Sequence, residues 1–333
     1  MPMNVVNRRQ RTAAYQAGAK TVIELQRGYL YRELHLRLTG QLTCTAANNT
    51  AANTLAGSEW AVVSRLELIA NGNDTIVSLS GAAIRRHNFF YYGVQPRNST
   101  NIGDGTTLNP AFDSTCIIPF TTPRLSKPMD TAIDSANLSI FTMEVTWATH
   151  TAINASATGF TVPPNLAVES IESWGHSPQS RFSLRRQNEL IITSTATNPR
   201  LQYSLPVNDL YYGFAIRTVR GGAEVSNILN NVQLKSGTNI MLDKTAVVLR
   251  ESSNLRLGQN RTFSGSAYDN LFIGAGNNDD AWYWYQHNPD GFLTEAIDTA
   301  GFSEFIIEFD VTYTSGTEQI FLYPFQIVPA RGN

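Results

Sequence analysis

The chain has 333 residues, of which 42% are hydrophobic and 16% are charged, and its formal net charge is −2 at pH 7. Globular proteins average about 25% charged residues, so Asn, Thr, Ser and Gln must form much of this surface. The charge excludes nucleic-acid binding through bulk positive potential. The surface favours protein–protein contact, because amides and hydroxyls cost less to bury than unpaired charges, although a secreted β-sandwich with polar loops fits the same composition.

The cysteines and the hydropathy exclude further classes. Cys44 and Cys116 are the only cysteines of the sequence and lack a C-x-x-C spacing, so they predict free, buried or half-buried thiols rather than a disulfide framework or a metal cluster. The N-terminus lacks the apolar core of a signal peptide, and no run approaches the ~18 apolar residues of a membrane span. We therefore expect the chain to stay soluble until it assembles.

The first twenty residues are basic. They carry Arg8, Arg9, Arg11 and Lys20 and no Asp or Glu. This pattern predicts a flexible basic arm over residues 1–20 that faces an anionic surface, either lipid head groups or a packaged genome, without specific nucleic-acid recognition. A merely solvated terminus is the alternative.

Two strand-like runs follow the arm, at Val22–Gln26 and Tyr29–Thr43. In the second run, the leucines at positions 34, 36 and 38 alternate with His35 and Arg37. A period of two places the leucines on one face of the strand and the polar side chains on the other. We therefore expect His35 to point outward and to have no catalytic role.

A hairpin and a short helix come next. After a polar loop at residues 43–58, Trp60–Ala70 predicts a strand that ends at a turn. Ser80 is the expected N-cap of the helix, because a short side-chain oxygen accepts hydrogen bonds from the free N–H groups of a first turn. The helix ends in the aromatic cluster Phe89–Tyr92, which we assign to the core or to a subunit contact rather than to base stacking.

The remainder of the first half contains two strands and two irregular segments. Residues 93–115 are rich in Gly, Asn, Thr and Pro and predict a long loop. Cys116–Phe120 predicts a short apolar strand, which its prolines confine to a sheet edge or to a strand end. A longer strand is expected at residues 138–149. Residues 150–180, with Pro163 and Pro164, predict the connection between the halves.

The second half repeats this order. A hairpin and helix are expected at residues 228–253, with Asp243 as the N-cap, and the Gly- and Asn-rich stretch Gly258–Asp280 mirrors the long loop of the first half. The other predicted strands are Arg181–Arg186, Asn188–Thr195, Leu201–Leu205, Tyr211–Ile216, Trp282–Tyr285, 303–314 and 318–328.

Two pairs of segments match at one shift. Ile140–Thr149 matches Ile306–Ser315, and Leu66–Leu68 matches Val232–Leu234, each pair 166 positions apart, which is half the chain length. Both copies of the longer segment mix β-branched and aromatic residues, as strands do. The shared shift indicates two copies of one domain.

Two further matches extend the repeat. Glu33–Thr39 resembles Glu189–Thr195 at a shift of 156 positions, and the polar loop at 43–58 would absorb the difference. Trp282 follows Cys116 by 166 positions, in register with the first-half strand.

We therefore predict an all-β chain of two tandem eight-stranded jelly-roll β-sandwiches with a short helix in each half. The expected domains are the arm at 1–20, the first jelly roll at 21–150, a connecting segment at 151–180 and the second jelly roll at 181–333.

Catalytic and metal motifs are sparse. No nucleophile elbow, P-loop, zinc-protease motif or dinucleotide fingerprint occurs, so we expect no enzyme activity and no cofactor. Asn277–Asp280 offers the oxygen ligands that calcium takes, but it lacks the spacing of a calcium loop and favours a solvated turn. The sequence leaves open a pair of catalytic carboxylates of the glycosidase kind, because the two members of such a pair come together only in the folded chain. Glu144 and Asp310 occupy equivalent repeat positions, which shared ancestry explains better.

Two short segments resemble a known family. Tyr31–Gly40 and above all Arg65–Gly72 are similar to segments of the double jelly-roll major capsid proteins of the adenovirus-hexon lineage. The sequence looks closest to those of tailless icosahedral bacteriophages with an internal membrane, including the flavobacterial type. The resemblance spans residues 20–329, and its motifs are structural rather than catalytic.

The resemblance implies a virion protein made in the host bacterial cytoplasm. Two jelly rolls would stand side by side in each chain, and homotrimers with a pseudo-hexameric outline would tile an icosahedral capsid shell. The partners implied are other copies of the chain, penton or minor capsid proteins, and an internal membrane reached through the N-terminal arm. Deletion of residues 1–19 is expected to leave the trimer intact and to impair assembly. A receptor-binding spike and a carbohydrate-binding or carbohydrate-cleaving double sandwich are the alternatives.

Overall fold

The polypeptide folds into two units, both built mainly from β-strands. The computed structural model describes residues 4–55, 57–92, 98–122, 131–174, 184–256, 281–287 and 293–328. Within these residues the first unit ends at Asn188, and the second unit runs from Glu189 to Val328. The predicted fold class, all-β with a short helix in each half, is confirmed.

The first unit is a sandwich of two sheets. Its strands are β1 (Asn4–Ala14), β2 (Lys20–Glu24), β3 (Leu30–Thr43), β4 (Val63–Ala70), β5 (Asp74–Leu79), β6 (Asn98–Thr100), β7 (Ala111–Pro119), β8 (Ile133–Asp134), β9 (Phe141–Trp147), β10 (Gly159–Trp174) and β11 (Leu184–Asn188), and its helix is α1 (Gly81–Tyr92). One sheet has the strand order β1-β10-β3-β7-β6, with β8 also on β3, and the other has the order β11-β5-β4-β9-β2.

Strand β3 shows why this unit folds as a sandwich. The side chains of Leu34, Leu36 and Leu38 are fully buried, whereas His35 and Arg37 lie on the opposite, more exposed face. This alternation confirms the predicted period of two and the outward position of His35. The predicted cap of α1 is also confirmed, because Ser80 Oγ accepts a hydrogen bond from the Ala83 N–H at 3.3 Å.

The second unit has its own pair of sheets. Its strands are β12 (Leu190–Ser194), β13 (Asn198–Ser204), β14 (Leu210–Arg220), β15 (Ala223–Glu224), β16 (Leu229–Ser236), β17 (Asn239–Thr245), β18 (Trp282–Gln286), β19 (Ile297–Asp298), β20 (Ile306–Val311) and β21 (Glu318–Val328), and its helix is α2 (Ala246–Arg256). In one sheet β14 and β21 are paired, with β12 on β21 and β15, β18 and β19 on β14; the other has the order β13-β20-β16-β17. The cap of α2 is Thr245, whose Oγ1 accepts from the Val248 N–H at 3.4 Å, so the prediction of Asp243 is wrong.

The two units pair their strands in the same way. In the first unit β3 pairs with β10, β7 and β8, and in the second unit β14 pairs with β21, β18 and β19. Likewise β4 pairs with β5 and β9, while β16 pairs with β17 and β20. A tandem repeat of one topology is what the sequence matches predicted.

A hydrogen-bonded corner recurs at the start of β3 and of its counterpart β14. Tyr31 Oη donates to the Gln26 carbonyl oxygen at 2.6 Å, and Tyr211 Oη donates to the Pro206 carbonyl oxygen at 2.7 Å. Each tyrosine ring packs on a phenylalanine, with ring centroids 5.3 Å and 4.9 Å apart. The same tyrosine therefore anchors the same backbone turn in each unit.

The short strands β8 and β19 complete this corner. Ser135 Oγ donates to the Tyr29 carbonyl oxygen at 2.7 Å, and Thr299 Oγ1 donates to the Asp209 carbonyl oxygen at 2.8 Å. The backbone N–H of the same residue also donates to that carbonyl, from Ser135 at 3.0 Å and from Thr299 at 3.1 Å. The same backbone carbonyl therefore accepts the same two hydrogen bonds in both units.

Two predicted boundaries are wrong. Gly159–Trp174 lies within the expected connecting segment 151–180 but forms β10, a central strand of the first unit. Its prolines fall where the β10–β3 register shifts between Val162 and Asn165, so a bulge accommodates them. Residues 4–14 lie within the expected flexible arm but form the edge strand β1, which pairs with β10.

The match of Glu33–Thr39 with Glu189–Thr195 is also wrong. It equated residues of β3 with residues of β12, whereas the strand pairings make β14 the counterpart of β3 and β12 the counterpart of β1. Within the expected loop at 93–115, the described residues include the short strand β6 (Asn98–Thr100) and the first part of β7, which begins at Ala111.

The two matches at a shift of 166 positions disagree with each other by two residues. Leu66 pairs with Val145, and its match Val232 pairs with Phe309. The counterpart of Val145 is therefore Phe309, and the counterpart of Glu144 is Glu308, not Asp310. The Gly258–Asp280 stretch, with its calcium candidate, and His176 lie outside the described residues.

Candidate functional site

Strand β1 carries three of the four basic residues expected to face an anionic surface. It forms one edge of its sheet, and its residues alternate between half-buried and exposed positions. Arg8 and Gln10 are half-buried, whereas Arg9 and Arg11 are exposed. The alternation therefore separates Arg8 from its two neighbours and gives them different environments.

Arg8 is used to hold the strand in place. The carboxylate of Glu172 is completely buried and accepts hydrogen bonds from Arg8 Nε at 3.2 Å, Gln10 Nε2 at 2.9 Å and Ser170 Oγ at 2.5 Å. Burial opposes the charge of Arg8, but the facing carboxylate prevails and raises the pKa of Arg8. The guanidinium also lies 4.4 Å from the centre of the Tyr29 ring.

Lys20 is likewise occupied. It begins β2, on the other sheet, and its Nζ lies 2.5 Å from the carboxylate of Glu144 and 4.0 Å from that of Glu67. The hydrogen bond to Glu144 raises the pKa of Lys20. The structure thus separates Lys20 from the arginines of β1, and its charge is shared with two acidic neighbours.

Arg9 and Arg11 have a different role. Neither side chain makes a hydrogen bond or an ion pair with any described residue, although Glu169 lies opposite Arg9 in the strand register. Together with Gln10 they line one side of an open cleft of about 560 Å³, whose other side is formed by residues 24–27 and Tyr29.

Arg27 was not singled out from the sequence, yet it completes this cleft. It is exposed, and its Nη1 donates to the Leu138 carbonyl oxygen at 2.8 Å, a bond that leaves its charge uncompensated. Arg27 precedes Gly28, whose φ of +94° turns the chain between β2 and β3. The turn at Gly28 is the sequence feature that could have pointed to Arg27, because this turn places the end of β2 beside β1.

Histidines and acids considered for chemistry have structural partners. His35 Nε2 lies 2.9 Å from Glu33 Oε1, which raises the pKa of His35. Glu144 pairs with Lys20, and Asp310 accepts from Asn230 at 3.3 Å. Among the described residues, no three His, Cys, Asp or Glu side chains lie together as metal ligands do.

The thiols behave as predicted. Cys44 and Cys116 are both free and buried. Burial raises the pKa of each thiol, most strongly for Cys116. A raised pKa disfavours the thiolate, which is the nucleophilic form of a cysteine. No described helix is long and apolar enough to cross a membrane.

Comparisons of sequence find nothing, whereas comparisons of structure do. No protein-family model and no curated protein matches the sequence. The major capsid protein P2 from bacteriophage PM2 superposes with a TM-score of 0.62 at 12% identity, over 97% of this chain and 98% of that one.

Two further viral capsid proteins give similar matches. The major capsid protein of Sulfolobus Turreted Icosahedral Virus has a TM-score of 0.69 at 12% identity, with 98% of this chain and 97% of that one covered. The capsid of PBCV-1 virus gives 0.58 at 10% identity, covering 100% and 97%. At these identities the likeness shows the fold, which is the double jelly roll.

Proposed function

We propose that this chain is a major capsid protein that assembles as homotrimers into the shell of an icosahedral virion. The observation that carries the proposal is the match along 97–100% of the chain to solved capsid proteins that share its two tandem jelly rolls. A structural rather than catalytic role agrees with the candidate acids, because Glu144 and Asp310 each have a structural partner.

Duplication explains how one chain could tile a shell. Three copies of a chain with two similar sandwiches present six similar bodies around a threefold axis, so a trimer can occupy a position of sixfold packing. Closed symmetric homo-oligomers are the common outcome of self-association. Many weak contacts made at once then stabilise the shell through avidity.

Light scattering coupled to gel filtration tests the trimer. The chain has a mass of 36.8 kDa, so we expect a species near 110 kDa, three times the mass of one chain. Negative-stain micrographs should show particles of hexagonal outline. A stable monomer at all concentrations would contradict the proposal.

The alternatives predict other results. A receptor-binding spike would be a minor band in purified particles, whereas a major capsid protein is the most abundant one. A carbohydrate-binding or carbohydrate-cleaving protein would bind or cut glycans on an array as a monomer. Either observation would replace the capsid proposal.

We also propose the finer partners. Penton or minor capsid proteins would fill the positions that trimers leave, and β1 with its arginines would face an internal membrane rather than the outside. The chain would be made in the cytoplasm of a bacterial host. The exposed, unpaired charges of Arg9 and Arg11 support the inward orientation, because capsid interiors meet polyanions.

A further inference from the structure

We infer that the cleft lined by Arg9, Arg11 and Arg27 is a binding site for the phosphate head group of an anionic lipid. The inference rests on the proposed function, since it supplies the chemistry by which β1 would meet a membrane surface. The cleft is the space of about 560 Å³ between β1 and the turn that joins β2 to β3.

The charge of the cleft is the first argument. Three guanidinium groups line it, against the single carboxylate of Glu24. All four of these side chains are exposed. Planar guanidinium groups bind phosphate oxygens through paired N–H donors, and Arg9 and Arg11 have all their donors available.

The contrast with Arg8 is the second argument. Arg8 lies on the same strand but is held by Glu172 and by Tyr29, and its Nη1 donates to Gln26 Oε1. Its hydrogen bonds fix the strand, so that the neighbouring arginines are presented on a rigid element. A site on a rigid strand loses less conformational entropy on binding than one on a free arm.

The occupied neighbours favour a lipid over a nucleic acid. Base recognition needs stacking platforms and free polar edges. The Tyr29 ring is already covered by the Arg8 guanidinium, and Gln10 donates to Ser170 and Glu172. The cleft therefore offers charge but no free aromatic ring on which a base could stack.

The end of the strand adds a membrane-compatible surface. Val5 is 53% exposed, and Trp174, whose backbone pairs with Asn4, is 50% exposed. Tryptophan concentrates at the boundary between lipid and water. A membrane surface meeting this edge would contact an amphipathic ring and an aliphatic side chain, with arginines further along the same strand.

Vesicle sedimentation with the purified full-length chain tests the site. We expect binding to vesicles that contain phosphatidylglycerol, little binding to pure phosphatidylcholine, and weakening as sodium chloride rises to 0.5 M. The variant Arg9→Gln/Arg11→Gln/Arg27→Gln should lose at least about tenfold in binding, because each basic residue near an anionic surface contributes several-fold. Displacement by 10 mM inorganic phosphate, beyond that by sodium chloride of equal ionic strength, would support recognition of the phosphate group itself.

The control removes the same charge elsewhere. Arg37→Gln/Arg65→Gln/Arg200→Gln should bind vesicles as the native chain does, and Arg9→Gln/Arg11→Gln serves if the triple variant fails to fold. Equal vesicle binding by native and cleft variants would overturn the inference, as would tighter binding of a single-stranded oligonucleotide that the cleft variant loses. Light scattering on the same samples distinguishes failure of the lipid site from failure of the capsid proposal. A trimer that does not bind vesicles refutes only the lipid site, whereas a monomer refutes the capsid proposal.

Discussion

Replacing Glu172 by Gln should loosen the N-terminal strand without disturbing the rest of the first unit. The carboxylate has two roles at once: Oε1 accepts from Gln10 and Ser170, while Oε2 accepts from Arg8. A glutamine can keep the first role through its amide oxygen. Its NH₂ group would then face the Arg8 guanidinium, donor against donor.

The magnitude follows from the bonds that are lost. A hydrogen bond to a charged group contributes about 1.5–3 kcal/mol, and the Arg8 side chain is 27% exposed, so it can turn partly to water. We therefore expect a loss of about 2 kcal/mol in the free energy of unfolding. For a unit of this size that lowers the melting temperature by about 4–8 °C.

Hydrogen exchange locates the effect. The amides of β1 that pair with β10 should exchange about 30-fold faster in Glu172→Gln, the equivalent of about 2 kcal/mol. Glu169→Gln is the matched control, because Glu169 lies on the same strand but is exposed. If β1 exchanges equally in both variants, the buried carboxylate does not anchor the strand and the reasoning fails.

Three further predictions concern single side chains. Gly81→Ala should destabilise the first unit by about 1–3 kcal/mol in chemical denaturation, since its Cβ would lie 2.0 Å from a backbone carbonyl oxygen; Gly159→Ala, with 3.9 Å of clearance, should leave the midpoint unchanged. Because the pKa of His35 is raised in the folded chain, its interaction with Glu33 stabilises the fold below pH 6.5, and this stabilisation is lost as the pH rises through the folded pKa. NMR titration should show a lower His35 pKa in Glu33→Gln. An unchanged pKa would contradict the pairing. Cys116 should react with a thiol reagent only after unfolding, because it is fully buried, so rapid labelling of the native chain would contradict this burial.

The sequence predicted the architecture because its strongest signals are local. Alternating leucines in β3, a hydroxyl before α1 and the repeated long strand each depend on neighbouring residues alone. The register was harder, since a slip of two residues keeps every side chain on its face of a strand. Matching Glu144 to Asp310 instead of Glu308 preserved the alternation, so nothing in the pattern exposed the error.

The counterpart of β3 was missed although a signal was present. Leu30-Tyr31 recurs as Leu210-Tyr211, and Ala132–Ser135 recurs as Ala296–Thr299 with only a Ser to Thr change. These pairs form the shared tyrosine corner. They are short and lie at two different shifts, so a search at one constant shift passes over them.

The N-terminal strand was mispredicted for a different reason. Its residues are mostly polar, and its pairing depends on Glu172, 164 positions from Arg8. No local pattern announces such a partner. The same is true of the cleft, whose two sides come from β1 and from the turn after β2.

This anchoring changes what a deletion of residues 1–19 would test. The deletion removes the whole edge strand, and with it Arg8 and Gln10, which bind the Glu172 carboxylate, and the backbone partners that β1 provides for β10. A loss of assembly would then report a damaged first unit as readily as a lost membrane contact. Substitution of the exposed Arg9 and Arg11 leaves the hydrogen bonds to Glu172 intact. If this variant assembles into particles that lack lipid, the structural role of β1 is separated from its role in membrane contact.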